Sequence, residues 1–422
     1  MYTLWINTKS DTIWSMALST DPYKGVRDFY PPDQAVEQYL FDAYRRVCER
    51  FGYEEYNASL LEPTALYLAK SSQEIVSEQT YSFKDRGDRE VTLRPEMTPT
   101  VARMIAARRR ELVFPLRWYS IPNVFRYENP QRGRLREHWQ LNVDLFGGLE
   151  AQADAEIITV AYSLLRELGA RDTDFEIRVN NRKTMPNDPA VLRLLDRRAK
   201  MSREDFEREA AKIFSDEKAL DAFLNEKQTE SREISGLIQT LNDRGIANVR
   251  YSPEIVRGFD YYTGMVFEVF DTNSKNPRSL FGGGRYDNLL DVFGAEKIPA
   301  VGFGAGDVTM RDFLETHNLL PTSVTQSKTV LALCVVDPDE KIFAGAEKLA
   351  QALRVQGVKV SIDISGKKIG DQIRNADRRG IPYVIAIGET EIASGKFKVK
   401  NLASSEEIEA ASAQAVVDVV TK

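Results

Sequence analysis

In the stretch DQAVEQYLFDAYRRVCERF, apolar side chains recur at Val36, Leu40, Ala43, Val47 and Phe51. Steps of three and four gather them on one face of a helix, and Asp33 stands where an N-cap belongs. Further along, the period falls to two. Glu90–Leu93, Leu116–Arg126, Leu135–Leu145, Glu176–Val179, Met265–Phe270 and Ala300–Phe303 read as strands, with few short strand–helix–strand units between them. That order predicts an α+β fold on a largely antiparallel sheet. Between residues 182 and 247 the pattern turns charged and helical, as in SREDFEREAAKIFSDEKALDAFL, and strands resume afterwards, which marks a helical insertion. From about Lys328 the texture changes again. VLALCVV, a helical pattern to Gln356, VKVSIDI, a helix over Asp371–Arg378, YVIAIG and a last helix describe a small α/β domain, with PTSVTQS as its linker.

Composition narrows the chemistry. The 422 residues suffice for two or three domains, and 42% hydrophobic with 28% charged residues is an ordinary globular balance. Cys48 and Cys334 form no CxxC pair, so neither a disulfide framework nor a zinc knuckle is indicated, and a reducing cytoplasm is expected. No run approaches the roughly 18 apolar residues of a membrane span. The opening MYTLWINTKSDTIWSMALSTDPY is interrupted by charges and reads as an extension over residues 1–23. A net charge of −6 means that any nucleic acid must meet local basic patches. The only two histidines, His138 and His317, argue against Ser-His-Asp triads and multi-histidine metal centres. Chemistry here falls to carboxylates, guanidiniums and phenols, or to these with a recruited metal ion.

The charges sit at strand spacing. In RLREHWQLNVDLFG, alternation places Leu135, Trp139, Leu141, Val143 and Leu145 on one face and Arg136, His138, Gln140, Asn142 and Asp144 on the other. The preceding VFRYE sends Arg126 and Glu128 to a common side, and NPQRGR carries a turn with Arg132 and Arg134 at its tip. Such a surface is either a solvated face laced with ion pairs or a site. TLRPEMTP adds Arg94, Glu96 and Thr98 at alternate positions around Met97, and Glu96 with Thr98 could grip an ammonium. FGGGRYDNLL supplies glycines for close backbone approach beside Arg285 and Tyr286. AVGFGAGDVTMRDFL reads as strand, glycine-rich turn and helix, with Asp307 near the helix start.

Together these pieces resemble a known family. FRYE with PQRGRLREHWQ resembles motif 2 of class II aminoacyl-tRNA synthetases, and AVGFGAGDV resembles their motif 3. KGVRDFYPPD, TLRPEMTP, RGFDYYTG and GGRYDNL with AVGFG are similar to histidyl-tRNA synthetases in particular, and NADRRGIPYVIAIGETE resembles that family's anticodon-binding domain. The resemblance runs from about Lys24 to the end. It implies a class II catalytic domain over 24–325 with the insertion at 182–247, and an anticodon-binding domain over 326–422.

The activity implied is ATP-dependent ligation of L-histidine to tRNA(His) through a histidyl-adenylate, in a homodimer, with Mg2+ on the ATP phosphates. Joining a carboxylate to the α-phosphorus needs no general base, only positioning and neutralisation of phosphate charge, which suits an arginine-rich, histidine-poor site. By resemblance, Arg126 and Arg257 are the catalytic cations, holding the α-phosphate and the histidine carboxylate from opposite sides. Glu128, Arg134 and His138 join Arg126 on ATP. Glu96, Met97, Thr98 and Gln140 surround the α-amino end of histidine, Asp144 and Tyr262 take the imidazole, and Tyr261 lines its pocket. A neutral imidazole has one N–H and one bare nitrogen, so a carboxylate and a phenol together satisfy it. Arg108, Arg109, Arg110, Arg374, Arg378 and Arg379 are candidate tRNA contacts.

Two departures stand out. Thr309 occupies the place of the family's motif 3 arginine, with Arg311 two residues on and on another helix face. His138 stands where phenylalanine often stacks on adenine. The alternative is a catalytically silent paralogue acting as a regulatory subunit, a type that lacks the terminal domain and degrades RGFDYYTG.

Overall fold

The computed structural model describes residues 18–70, 79–185, 188, 190–191, 194, 202–214, 230–255, 261–276, 278–325, 327–337 and 339–421. They fall into two compact units, one of residues up to Tyr30 with Glu37–Leu320, the other of Pro31–Val36 with Pro321–Lys422. In chain order, the strands of the first unit are β1 (Glu54–Glu55), β2 (Leu61–Pro63), β3 (Tyr81–Lys84), β4 (Glu90–Leu93), β5 (Leu116–Ser120), β6 (Asn123–Phe125), β7 (Glu137–Phe146), β8 (Phe175–Asn181), β9 (Val249–Tyr251), β10 (Met265–Asp271), β11 (Ser279–Arg285) and β12 (Ala300–Gly306). The helices are α1 (Pro31–Arg50), α2 (Thr64–Lys70), α3 (Thr98–Arg108), α4 (Glu150–Glu167), α5 (Arg203–Ala210), α6 (Arg232–Asp243) and α7 (Asp307–Thr316).

The main sheet runs β1-β5-β7-β12-β11-β10-β8-β9, with β6 paired to β7, and β2-β4-β3 form a separate three-stranded sheet. Every pairing is antiparallel except β1 with β5 and β8 with β9. This is the α+β architecture that the strand order predicts. One face is covered by helices: Leu40, Tyr44 and Val47 of α1, Ile157 and Leu164 of α4, Leu241 of α6 and Phe313 of α7 join Leu141, Val143, Ile177, Val179, Phe267 and Val301 of the strands in one core. Each such side chain contributes about 1.5–3 kcal/mol on burial. The other face is closed as well, by Val101 and Ile105 of α3 with Phe146, Val266, Tyr286, Leu289 and Leu290. Both faces of the central strands are therefore sealed, and polar groups on the second face are buried with it.

Several local expectations change. The first helix begins at Pro31, not Asp33; Tyr30 is its N-cap residue, and the two prolines occupy the opening positions, where a missing N–H costs nothing. Leu116–Arg126 is interrupted at Ile121–Pro122, leaving β5 and β6 as separate strands. FGGGR, to which the pattern assigns no element, lies in strand β11, and AVGFGAG runs as strand β12 straight into α7 with no turn between. Of the charged stretch after Arg182, α5 and α6 are described, capped by Ser202 and Ser231 on the amides of Asp205 and Ile234. Its FSDEKALDAFL portion lies outside the described residues beyond Phe214.

The second unit is built on a five-stranded sheet, β14-β13-β15-β16-β17, of β13 (Leu331–Val335), β14 (Val360–Ile362), β15 (Tyr383–Ile387), β16 (Phe397–Asn401) and β17 (Glu407–Ala410). Helices α8 (Glu340–Val355), α9 (Ile369–Arg378), α10 (Glu389–Ser394) and α11 (Ala413–Val420) accompany it. The first three strands pair parallel, as the βαβ pattern predicts, and β16 and β17 extend the sheet antiparallel. Gln372 of α9 is buried and clamps β13, its side chain accepting from the amide of Val335 and donating to the same residue's carbonyl, each at 2.8 Å.

Candidate active site

β7 and β12 pair so that Asp144 faces Gly302, Asn142 faces Gly304 and Gln140 faces Gly306. The glycines leave room for side chains to lie flat on the sheet. A Cβ on Gly302 would run into the Tyr286 hydroxyl and stand 2.7 Å from Asp144 Oδ1, and one on Gly304 would run into the Gln140 amide. Glycine is a poor strand former, and its use in two adjacent central strands is explained by the cleft above them. That cleft is lined by Glu96, Thr98, Arg126, Gln140, Asn142, Asp144, Tyr261, Tyr262, Tyr286, Phe303 and the glycines 282, 302 and 304.

The structure thus brings together seven of the residues named from sequence for histidine: Glu96, Thr98, Arg126, Gln140, Asp144, Tyr261 and Tyr262. Glu96 is buried and accepts a hydrogen bond from the Tyr261 hydroxyl at 3.2 Å. Thr98 opens α3, whose first turn carries Pro99. Arg126 is aimed by its Nε, which donates to the Pro95 carbonyl at 2.9 Å. Met97 is the exception among the described residues. Its side chain is fully buried in the protein interior and forms no part of the pocket wall, because the chain turns into α3 there and sends alternate side chains to opposite sides. Arg257, with Val256 to Asp260, lies outside the described residues.

The far end of the cleft is a carboxylate among phenols. The Tyr286 hydroxyl donates to Asp144 Oδ1, while Asp144 Oδ2 is buried with no hydrogen-bond partner. Burial pushes the Asp144 carboxyl up to about 7, against the opposing pull of Tyr286. The rings of Tyr261, Tyr262 and Tyr286 pack with centroids 5.0–6.2 Å apart. At the opposite end Gln140 Oε1 is a second buried acceptor without a partner. A lone buried acceptor is costly, so two of them at the ends of one pocket point to a ligand with N–H donors at both of its ends.

Tyr286 was missed as a site residue. The signal was present: it follows Gly282 and Gly284 at strand period, so it shares their face. FGGGRY reads from sequence only as room for close backbone approach, with no strand assigned to it and so no face. Its neighbour Arg285 goes the other way, fully buried and paired with Asp154 and Asp287. Arg136, assigned to the site face by alternation, lies before the start of β7. Its guanidinium donates to the Glu128 carbonyl and the Tyr23 hydroxyl and stacks on Tyr127.

Beyond Arg126, Glu128 and Arg134 form an ion pair at 3.2 Å, and neither lines the cleft. His138 lies against Gly306, whose Cβ would stand 3.7 Å from its ring. Burial, and then the positive charges of Arg126 and Arg27, hold the imidazole down to about 3, so it is neutral. Arg27 is a further residue that periodicity could not flag. It donates to Asp307 at the head of α7, beside Glu37. Thr309 spends its hydroxyl on the carbonyls of Leu280, at 2.7 Å, and Gly306, at 3.1 Å. Arg311 pairs with Glu315 at 2.8 Å, on the other helix face as its spacing requires.

Similarity to other proteins agrees with this arrangement. A family model for histidyl-tRNA synthetases matches residues 25–185 and 179–307, and one for an anticodon-binding domain matches 329–422. The histidine–tRNA ligase of Leptospira biflexa serovar Patoc is 40% identical over 415 residues, covering 92% of this chain and 94% of that one. The chain belongs to the histidyl-tRNA synthetase family. The histidine–tRNA ligase of Haloarcula marismortui is 35% identical over 92% of this chain and 95% of its own. The fold is also that of the histidyl-tRNA synthetase of Nostoc sp. PCC 7120, with a TM-score of 0.73 at 24% identity over 96% of this chain and 99% of that one. Membership of the histidyl-tRNA synthetase family agrees with the strand order, the mixed sheet of the second unit and the glycine-floored cleft.

Proposed function

We propose that the protein ligates L-histidine to tRNA(His) at the expense of ATP, through a histidyl-adenylate. The observation that carries this reading is the pair of unpartnered buried acceptors, Gln140 Oε1 and Asp144 Oδ2, at the two ends of one small cleft. The ammonium of histidine supplies donors to Gln140 and Glu96, with Thr98 beside them, and its imidazole N–H supplies the donor that Asp144 lacks. Tyr262 donates to the remaining ring nitrogen and Tyr261 walls the pocket. An apolar side chain would leave Asp144 unpaired, and that penalty excludes it.

In this reading Arg126, with Arg257, holds the histidine carboxylate against the α-phosphate of ATP and neutralises the charge that builds up in transfer. His138, neutral, is a flat surface for adenine. Glu128 takes the adenine amino group, and Arg134 the outer phosphates, once their ion pair opens to ATP. Mg2+ would neutralise those phosphates. Such an ion keeps several waters and takes one or two protein carboxylates together with the substrate phosphates.

The division of labour belongs to the same proposal: residues 24–325 for catalysis with 182–247 inserted, 326–422 for the anticodon, and 1–23 as an extension. So do a homodimeric assembly and a cytoplasmic setting, the latter supported by the buried, unbridged Cys48 and Cys334. Among the described residues no helix is long and apolar enough to cross a membrane. Candidate tRNA contacts are Arg108, Arg109 and Arg110 with Arg374, Arg378 and Arg379; Arg109 also stacks on Phe114. A regulatory, catalytically silent role has no observation in its favour.

The test is ATP–pyrophosphate exchange with each of the twenty amino acids. Exchange with histidine alone, lost in Arg126→Ala and weakened in Tyr262→Phe, is the expected outcome. Exchange with another amino acid, or with none, overturns the reading.

A further inference from the structure

Two of the pocket tyrosines stand just past the ends of strands, where the regular ladder gives way to single backbone bonds such as that from the Tyr286 amide to the Ala300 carbonyl at 2.8 Å. Tyr262 precedes β10 and Tyr286 follows β11. The residue after each tyrosine adds further ties. Asp287 Oδ2 accepts the Thr263 hydroxyl at 3.3 Å, and the Asp287 amide donates back to Thr263 Oγ1 at 3.1 Å. The Thr263 amide donates to the Arg285 carbonyl at 2.7 Å. Asp287 Oδ1 accepts the amide of Ala300, the first residue of β12, and Arg285 Nη1, each at 3.1 Å. Arg285 is fixed from beneath by Asp154 at 2.5 Å and by the Glu150 carbonyl at 2.9 Å. One carboxylate therefore ties together the segments that carry Tyr262 and Tyr286 and the start of β12, which carries Gly302. None of Thr263, Arg285 and Asp287 lines the cleft.

We propose that Thr263 and Asp287 form a latch that positions Tyr262 and Tyr286 about the imidazole, so that both are positioning residues for histidine without touching it. The proposal rests on the reading of the cleft as a histidine site. Rings 6.2 Å apart and inclined at 50° present their hydroxyls correctly only if the two backbone segments keep their spacing. With the latch cut, the two segments keep only the backbone bonds of Thr263 to Arg285 and of Tyr286 to Ala300, and a misplacement of about 1 Å can cost up to 100-fold.

The experiment is pyrophosphate exchange with histidine and ATP varied separately, on the full chain and on Thr263→Val, Thr263→Ser and Asp287→Ala, with thermal melting of each. Thr263→Val keeps the shape but loses the hydroxyl. It should raise the KM for histidine about tenfold while leaving the KM for ATP within about twofold, and Thr263→Ser should restore it. Asp287→Ala should show the same split more strongly; if it fails to fold, the threonine pair still decides. Valine and serine variants that behave alike, or KM values for histidine and ATP that rise together, would overturn the latch alone. No histidine-dependent exchange in the unmodified chain would overturn the histidine reading and the latch with it.

Discussion

Tyr286→Phe removes one oxygen and nothing else from the floor of the cleft. The lost group is the donor to Asp144 Oδ1, and Asp144 is itself 3% exposed. Burial already pushes that carboxyl up to about 7 from an ordinary 3.8, and the Tyr286 hydroxyl is the one influence opposing it. A hydrogen bond to a charged group contributes about 1.5–3 kcal/mol, so its removal should raise the midpoint by a further one to two pH units, to about 8–9. At pH 7 the carboxylate form would then fall from about half of the population to roughly a tenth or less, and a protonated Asp144 no longer offers a bare acceptor pair to an imidazole N–H. The assay is the KM for histidine in pyrophosphate exchange from pH 6 to 9. The free imidazole of the substrate titrates identically for both proteins, so the difference between the two curves isolates Asp144. The variant should show a KM about tenfold higher at pH 7 and recover toward wild type above about pH 8.5. Superimposable profiles, or a midpoint that moves down, would refute the reasoning.

Other consequences are as direct. Gly304→Ala drives a methyl group into the Gln140 amide; overpacking of this kind costs about 1–3 kcal/mol, and a rise of roughly tenfold or more in the KM for histidine is expected from exchange kinetics. Glu37 is pushed up to about 8, by burial first and then by Asp307. A carboxyl raised in the folded state stabilises most below its unfolded value near 4.5, and that contribution is lost as pH rises through 8. Wild-type stability, read by melting, should therefore fall as pH rises from about 5 toward 8, and Glu37→Gln should flatten the slope. His317 bonds Asp271 at 2.8 Å and packs on Phe313 at the closing end of α7. His317→Leu should cost about 1–3 kcal/mol in denaturant unfolding and leave the KM for histidine unchanged, because neither partner lines the cleft.

Much of this protein was legible from local patterning. The apolar period of α1, the alternation along β7 and the βαβ rhythm after Lys328 depend only on the two backbone repeats, and each predicts its element to within a few residues. Alternation also grouped Gln140, Asn142 and Asp144 on one face, which is why most of the cleft could be named in advance. Where the pattern failed, the competing influence came from a neighbouring strand. The GAG that ends β12 reads as a turn and the GGG of β11 only as room for close approach, because glycine carries no side chain to advertise a strand. Only when β7, β12 and β11 lie side by side does the need for bare backbone appear, set by Gln140 and by the Tyr286–Asp144 bond above it. The same holds for Arg27 on Asp307, far apart in sequence, and for Asp287, whose partners come from three strand ends. Sequence alone determined the elements, the polar face and the residue types available for chemistry. Tertiary structure decided which polar groups are buried, which of them pair with each other and which two acceptors are left for a ligand, because desolvation and hydrogen bonding depend on neighbours that local periodicity does not encode.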